Sequence, residues 1–323
     1  LNILITGISG FLGRNFARLL QKKKGITVHG LIRPGTSREK LLDIDDNTIL
    51  HNLDLADTNE LIRFLAQNRF DVIYHIGALR GGRRFDRKTF FAVNVNATEQ
   101  LVISALEKDS RFVFCSSVGV FGTIPSETPA HNNSPRNPDN YYHFTKIRAE
   151  SIIQNKVLQG LKSVIIRPSI VYGPHDFGFP YTLTRLIDKK LMFYPERDVE
   201  IHLTNIDYLS QIFLHFLERD FKPGREFTVA DVEPVQLRDL VNFISHELRG
   251  KDYPGNREIN GKLFDLAIQT AQFLKNELWT SRFELISRSW FYDIEPVRTD
   301  IEMKPPSTIP AFKNVINWYK KKS

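Results

Sequence analysis

Along the first half of the chain, apolar runs of strand length alternate with longer segments whose apolar residues recur every three or four positions. A strand pattern over 1–6 is followed by a helical one over 11–22, 27–32 by 58–68, and 72–76 by 89–107. Residues 112–115 and 163–166 continue the series around a helix expected over 141–159. This rhythm predicts βαβ units and a parallel sheet covered by helices on both faces. After about Pro174 it loosens into helical stretches at 181–190, 207–217 and 237–248, and 251–261, rich in Gly, Pro and charge, reads as a surface loop.

Composition narrows the class. Among 323 residues, 41% are apolar and 25% charged, as in ordinary globular proteins, and no repeat or low-complexity tract interrupts them. The net charge of +7 is scattered, so no nucleic-acid partner is expected. The single cysteine, Cys115, excludes an internal disulfide or a multi-cysteine metal site and suits a reducing compartment. No apolar run approaches the roughly 20 residues that cross a bilayer, and the chain opens directly on a strand pattern. A cytoplasmic protein without membrane insertion is the expectation, although Leu1 is not an initiator methionine.

Directly after the first strand pattern comes Thr6-Gly7-Ile8-Ser9-Gly10-Phe11-Leu12-Gly13, leading into a helix. Gly7 permits a tight turn, Gly10 lets backbone approach a pyrophosphate, and Gly13 allows a helix to pack closely on a strand. The helix N-terminus attracts the anion. The expected fold class is therefore α/β, a Rossmann doubly wound parallel sheet with a smaller C-terminal lobe. Residues 1–174 would bind the dinucleotide and carry the chemistry; 175–323 would mainly bind and cap the substrate, some segments returning to the first part.

At the end of the second strand pattern, where an acid would hold the ribose hydroxyls of NAD, the chain reads Leu31-Ile32-Arg33. Arg33, with Arg38, is placed to pair with a 2′-phosphate, favouring NADP slightly over NAD. A solvated surface arginine is the other reading.

Tyr142-His143-Phe144-Thr145-Lys146 puts Tyr142 and Lys146 on one helix face. There a lysine holds a cofactor ribose while its charge lowers the phenol from a reference pKa of about 10, so that Tyr142 exchanges a proton with an alcohol or carbonyl oxygen. Phe112-Val113-Phe114-Cys115-Ser116-Ser117-Val118-Gly119-Val120-Phe121-Gly122 reads as a buried strand ending in hydroxyls. Alternation sends Ser116 and Ser117 to opposite faces. Cys115 reads as core, Tyr141 as pointing away from Tyr142, and His75 as a packed histidine, since no second ligand lies at i+4; no metal is expected.

Together these motifs resemble the extended short-chain dehydrogenase/reductases, the epimerase/dehydratase group. Ser117, 25 positions before Tyr142, matches the hydroxyl that hydrogen-bonds the reacting oxygen in that family. The resemblance implies Ser117, Tyr142 and Lys146 as the catalytic set, and cofactor contacts from Gly7, Ser9, Gly10, Phe11, Leu12 and Gly13. Asn52-Leu53-Asp54-Leu55 is similar to the family segment at the adenine, implying Asp54 and Leu55. His75-Ile76-Gly77-Ala78 is similar to the segment along the dinucleotide, implying Ile76, Gly77 and Ala78. Asn94-Val95-Asn96-Ala97-Thr98 and Arg167-Pro168-Ser169-Ile170-Val171-Tyr172-Gly173-Pro174 resemble later motifs, implying Asn94, Pro168 and Ser169. Related enzymes are often dimers, so a homodimer is expected.

Within the family, sugar-nucleotide dehydratases follow the serine with Asp-Glu; here Val118-Gly119 offers neither acid nor base. Nucleotide-sugar epimerases hold the diphosphate with an arginine where this chain has Asp198, and Arg197 lies one step off, which on a strand reverses the face. Thr204-Asn205-Ile206, Leu278-Trp279-Thr280-Ser281-Arg282, Trp290-Phe291-Tyr292-Asp293 and Asn317-Trp318-Tyr319 resemble the 3β-hydroxysteroid dehydrogenase and dihydroflavonol reductase branch. The implied activity is hydride transfer between a nicotinamide cofactor and a secondary alcohol or ketone of a small-molecule substrate. The alternative is a nucleotide-sugar 4-epimerase, and more remotely a non-catalytic dinucleotide-sensing protein.

Overall fold

A computed structural model of the chain describes residues 1–44, 46–80 and 85–322. Strands β1 (Asn2–Thr6), β2 (Thr27–Ile32), β3 (Ile49–Asn52), β4 (Val72–His75), β5 (Arg111–Cys115) and β6 (Ser163–Pro168) pair in parallel. With the strand Glu226–Val229 they form, among the described residues, a seven-stranded sheet. From the Glu226–Val229 edge the order runs β6, β5, β4, β1, β2, β3, so the winding reverses between β4 and β1. This is the doubly wound α/β fold, whose ligand crevice opens beyond the strand carboxyl ends at that reversal.

Helices α1 (Phe11–Leu20), α2 (Thr58–Gln67), α3 (Arg87–Phe91), α4 (Ala97–Glu107) and α5 (Tyr141–Val157) link these strands. On one face of the sheet, Leu61 and Leu65 of α2, Leu101 and Ala105 of α4 and Ile153 of α5 close over Leu4, Ile73, Phe112 and Ile165. On the other, the Phe16 ring of α1 lies 4.6 Å from Tyr74 and 5.4 Å from Phe213, and the Tyr74 hydroxyl donates to the Phe213 carbonyl (2.8 Å). Cover on both sides explains why the central strands are continuous apolar runs.

Three local expectations change. β3 and Glu226–Val229 escape the pattern, β3 because its four residues are only partly buried and show no alternation. The single helix expected over 89–107 is α3, a π-helical turn Ala92–Asn96, and α4. The wider turn carries Asn94, which is buried. Residues 251–261 are more than a loop: Glu258–Ile259 pairs with Tyr194–Pro195, and buried Tyr253 donates its hydroxyl to Met192 O (3.0 Å) and accepts from Met192 N (2.9 Å).

The chain divides into two compact units, 1–120, 138–168 and 209–227 in the first, 121–137, 169–208 and 228–323 in the second. Residues 121–137 and 169–174, read above as part of 1–174, thus cluster with the second. Inside that unit, buried Asp231 gathers three segments: Oδ2 accepts from Tyr172 Oη (2.7 Å) and Thr308 Oγ1 (2.6 Å), and Oδ1 from Asn205 N (2.9 Å).

Candidate active site

In the first unit, the carboxyl edge of the sheet is built from loops locked to one another. Gly7 sits at φ +70°, and a Cβ there would come within 2.6 Å of Gly77 Cα, so the turn after β1 and the loop after β4 touch backbone to backbone. A Cβ on Gly13 would fall 2.4 Å from Gly7 O, so only glycine lets α1 start this close to the turn. Gly10, exposed, caps α1 with its backbone in the extended region. The result is a helix N-terminus opening on a glycine-lined turn, a fit for a pyrophosphate.

His75 stitches this edge together. Thr98 Oγ1 donates to Asn94 O (2.8 Å), so its contact with His75 Nε2 (2.9 Å) is accepted from an Nε2–H. His75 Nδ1 then accepts from Thr6 Oγ1 (2.7 Å), which itself accepts from Gly77 N (2.9 Å). Burial, reinforced by the charge of Lys146, lowers the imidazole pKa to about 3 and keeps it neutral. Among the described residues no group of three or more His, Cys, Asp or Glu is arranged to hold a metal ion.

Asn94 completes the lock. Its Oδ1 accepts from Leu79 N (2.8 Å), and Nδ2 donates to Leu79 O (2.9 Å) and Thr145 Oγ1 (3.0 Å). Both amide hydrogens are bonded within the protein, and Asn94 fixes the loop after β4 and, through Thr145, the start of α5.

Tyr142 and Lys146 lie one turn apart on α5. The phenol is half-buried and hydrogen-bonded to the Ser117 side chain, and Ser117 Oγ accepts from Gly119 N (3.0 Å). Ser116 is buried on the other side of the strand end, its hydroxyl without a partner among the described residues. Lys146 is buried too; its Nζ donates to Cys115 O (2.8 Å) and stands 4.5 Å from the centre of the Phe114 ring and 6.0 Å from that of Tyr142.

Burial pushes the phenol up to about 12, and Arg80, ahead of the Ser117 hydrogen bond, is the cation that opposes it. The Cys115 carbonyl and the Phe114 ring engage the Lys146 ammonium. Desolvation lowers Lys146 itself to about 8. Arg80 follows directly on Leu79, whose side chain packs in the cluster that Tyr141 and Tyr142 border. Sequence reading missed Arg80; a cation one residue beyond a pinned segment of the crevice loop was the available signal.

The other expected residues divide. Leu55 lies against Gly77, and Asp54 Oδ1 accepts from Ala56 N (2.9 Å). Arg33 is exposed at the end of β2, its guanidinium 5.9 Å from the centre of the Phe85 ring, and Arg38 is exposed in a short turn 38–40. Ser9, Phe11, Leu12, Ile76 and Ala78 are half-buried along the same edge. Pro168 is buried at the end of β6. Ser169, in the second unit, turns its hydroxyl to His202 O and its amide to Thr204 Oγ1 and Val229 O, so its polar groups are committed to the protein. Cys115 is core, and burial raises its thiol to about 11. Tyr141 stacks on Phe144 (5.6 Å). Arg197, the doubtful phosphate ligand, is bound to Asp265 (3.0 and 3.2 Å) and Ser287 O (2.9 Å).

A glycine turn at the switch point of a doubly wound sheet, with a serine, a tyrosine and a lysine at its carboxyl edge, defines a class of nucleotide-dependent enzyme folds. Residues 3–207 match the NAD dependent epimerase/dehydratase family, and the chain belongs to that family. It is 27% identical over 283 residues to 4-hydroxy-2-methyl-3-oxo-4-farnesyl-3,4-dihydroquinoline-1-oxide ketoreductase of Stigmatella aurantiaca, covering 85% of this chain and 80% of that protein. UDP-glucose 4-epimerase of Vibrio cholerae is 26% identical over 76% of this chain and 75% of its own. The crystal structure of UDP-glucuronic acid 4-epimerase from Bacillus cereus in complex with NAD shares the fold, with a TM-score of 0.77 at 20% identity, covering 100% of this chain and 99% of that one.

Proposed function

We propose that this protein is an NAD(P)-dependent oxidoreductase that reduces a ketone, or oxidises the matching secondary alcohol, of a small molecule. The observation that carries this reading is the hydrogen bond between Ser117 and the half-buried Tyr142 phenol at the sheet's carboxyl edge. Gly7, Ser9, Gly10, Phe11, Leu12 and Gly13 would hold the pyrophosphate, and Asp54, Leu55, Ile76, Gly77 and Ala78 the adenosine side. The nicotinamide supplies or accepts the hydride. Ser117 orients the substrate oxygen, and Tyr142 gives it a proton during reduction or takes one during oxidation. Lys146, which donates to Cys115 O in this structure, would hold the cofactor ribose. The proton stays on Tyr142 until substrate arrives because burial keeps the free phenol weakly acidic.

The reductase reading is preferred to a nucleotide-sugar epimerase because Arg197 is tied to Asp265 and Ser287 rather than offered to a diphosphate. Exposed Arg33, where an acid would select NAD, supports NADP, and Arg33→Asp should reverse that preference. A homodimer acting in a reducing compartment completes the proposal, the first part checked by sedimentation. The central test is Tyr142→Phe, assayed with NADPH and a panel of ketones and UDP-sugars. Turnover should fall by about 10²–10⁴-fold with cofactor affinity retained; unchanged turnover, or epimerisation without net cofactor consumption, overturns the reading.

A further inference from the structure

Arg167, near the end of β6, is fully buried. Its guanidinium donates through Nε to Glu150 Oε1 (2.8 Å) and through a terminal nitrogen to Glu150 Oε2 (2.7 Å), a bidentate pair. The same terminal nitrogen lies 2.6 Å from Glu226 Oε2. Burial works against the Arg167 charge, but Glu150, ahead of Glu226, outweighs it and raises the guanidinium's pKa. Three elements of the first unit therefore meet on one side chain: β6, α5 through Glu150, and the edge strand Glu226–Val229. Gln154, one turn beyond Glu150, donates to Glu226 Oε1 (2.9 Å) and Gly224 O (3.1 Å), fastening α5 to the same edge.

One carboxylate neutralises a guanidinium, and this guanidinium has two. The cluster of Arg167, Glu150 and Glu226 thus carries one excess negative charge, held where leaving it unbalanced is costly. The buried cation of α5 is Lys146, one turn before Glu150 on the same helix face. The other titratable groups around that lysine cannot serve as its counter-ion. His75 is neutral, and burial raises the Cys115 thiol to about 11 and the Tyr142 phenol to about 12. Burial lowers Lys146 to about 8; of the two groups that oppose the fall, Cys115 and Glu150, only Glu150, paired with Arg167, is an anion there.

We propose that Glu150 is a positioning residue for Lys146: Arg167 fixes its carboxylate in the interior, and that carboxylate holds the buried lysine in its ammonium form. The inference rests on the reading of Lys146 as the group that holds the cofactor ribose. Glu150 itself touches neither cofactor nor substrate in this scheme. It acts by supplying the negative charge that lets a cation persist in a desolvated place, and by tying the helix turn that bears Lys146 to β6.

The test follows Lys146 directly, by NMR of the full chain labelled with carbon-13 at lysine Cε, its signal assigned by its loss in Lys146→Gln. In the wild type it should titrate at about 8. Glu150→Gln, which keeps an oxygen for the Arg167 guanidinium, should move the titration down by about one pH unit or more, whereas Glu150→Asp, which keeps the charge, should stay close to wild type. At pH 8 the affinity of Glu150→Gln for NADPH, measured by calorimetry, should fall about fivefold as the ammonium is lost. A Lys146 already neutral at pH 7 in the wild type overturns the proposal without any variant at position 150. So does a titration that Glu150→Gln leaves in place, or one that both substitutions shift alike, which would make the effect one of packing. A shifted titration with NADPH affinity unchanged would support Glu150 as the counter-ion and overturn instead the ribose-holding role of Lys146.

Discussion

Gly119 lies directly under the imidazole of His143: a Cβ on Gly119 would stand 2.3 Å from Nε2 and 2.4 Å from Cδ2. The ring is held from its other side by Asp139, whose Oδ1 is 2.5 Å from Nδ1, and its backbone amide donates to Asn140 Oδ1 (3.0 Å). Since Gly119 N donates to Ser117 Oγ, His143 sets the position of the segment that aims Ser117 at Tyr142. Gly119→Ala should therefore cost about 1–3 kcal/mol in urea unfolding and lower kcat about tenfold or more. Adding His143→Ala should restore most of both, a non-additive cycle. Equal impairment of the single and double variants would show that the two residues act separately.

Arg80 opposes the effect of burial on the Tyr142 phenol. Its removal should raise the phenol pKa further, so that the rise of the alcohol-oxidation rate with pH moves to higher pH. Arg80→Gln should cost on the order of threefold to tenfold in kcat/KM for alcohol oxidation near neutral pH, with Arg80→Lys retaining most of it. A pH profile that Arg80→Gln leaves in place removes Arg80 from the site's electrostatics.

Asn94→Ala leaves the amide and carbonyl of buried Leu79 without partners, at about 1–3 kcal/mol for each group left unpaired. Because the same loop carries Gly77 against Gly7, dinucleotide affinity should fall along with stability. Calorimetric titration of the cofactor and denaturant unfolding test the two effects separately; a stability loss with unaltered affinity would limit Asn94 to folding.

Asp231 predicts a pH dependence of the fold itself. Desolvation raises its carboxyl from 3.8 to about 6, outweighing the hydrogen bonds from Thr308, Tyr172 and Asn205. With the folded value above the unfolded one, its stabilising contribution is complete below pH 3.8 and is lost as pH rises through about 6. The loss amounts to on the order of 2–3 kcal/mol. Asp231→Asn should flatten that part of the curve of unfolding free energy against pH, while wild type declines across it. Parallel curves for the two proteins would place the carboxyl's titration elsewhere.

The alternation of apolar runs and helical segments was enough to read the α/β class, because strands covered on both faces are apolar throughout and helices repeat every 3.6 residues. The glycine turn, the strand-end serines and the spacing of Tyr142 and Lys146 were equally legible, since each depends on local backbone geometry. The π turn at Ala92–Asn96, the packing of Gly119 beneath His143 and the turning of Lys146 toward Cys115 were not. These rest on contacts between segments far apart in the chain, and hydrophobic periodicity carries no record of which polar side chains meet across a sheet edge. The same limit hid Arg80's bearing on Tyr142 and Asn94's hold on Leu79: sequence supplied the residue types and the elements bearing them, while tertiary packing decided which atoms were already committed and which remained for chemistry.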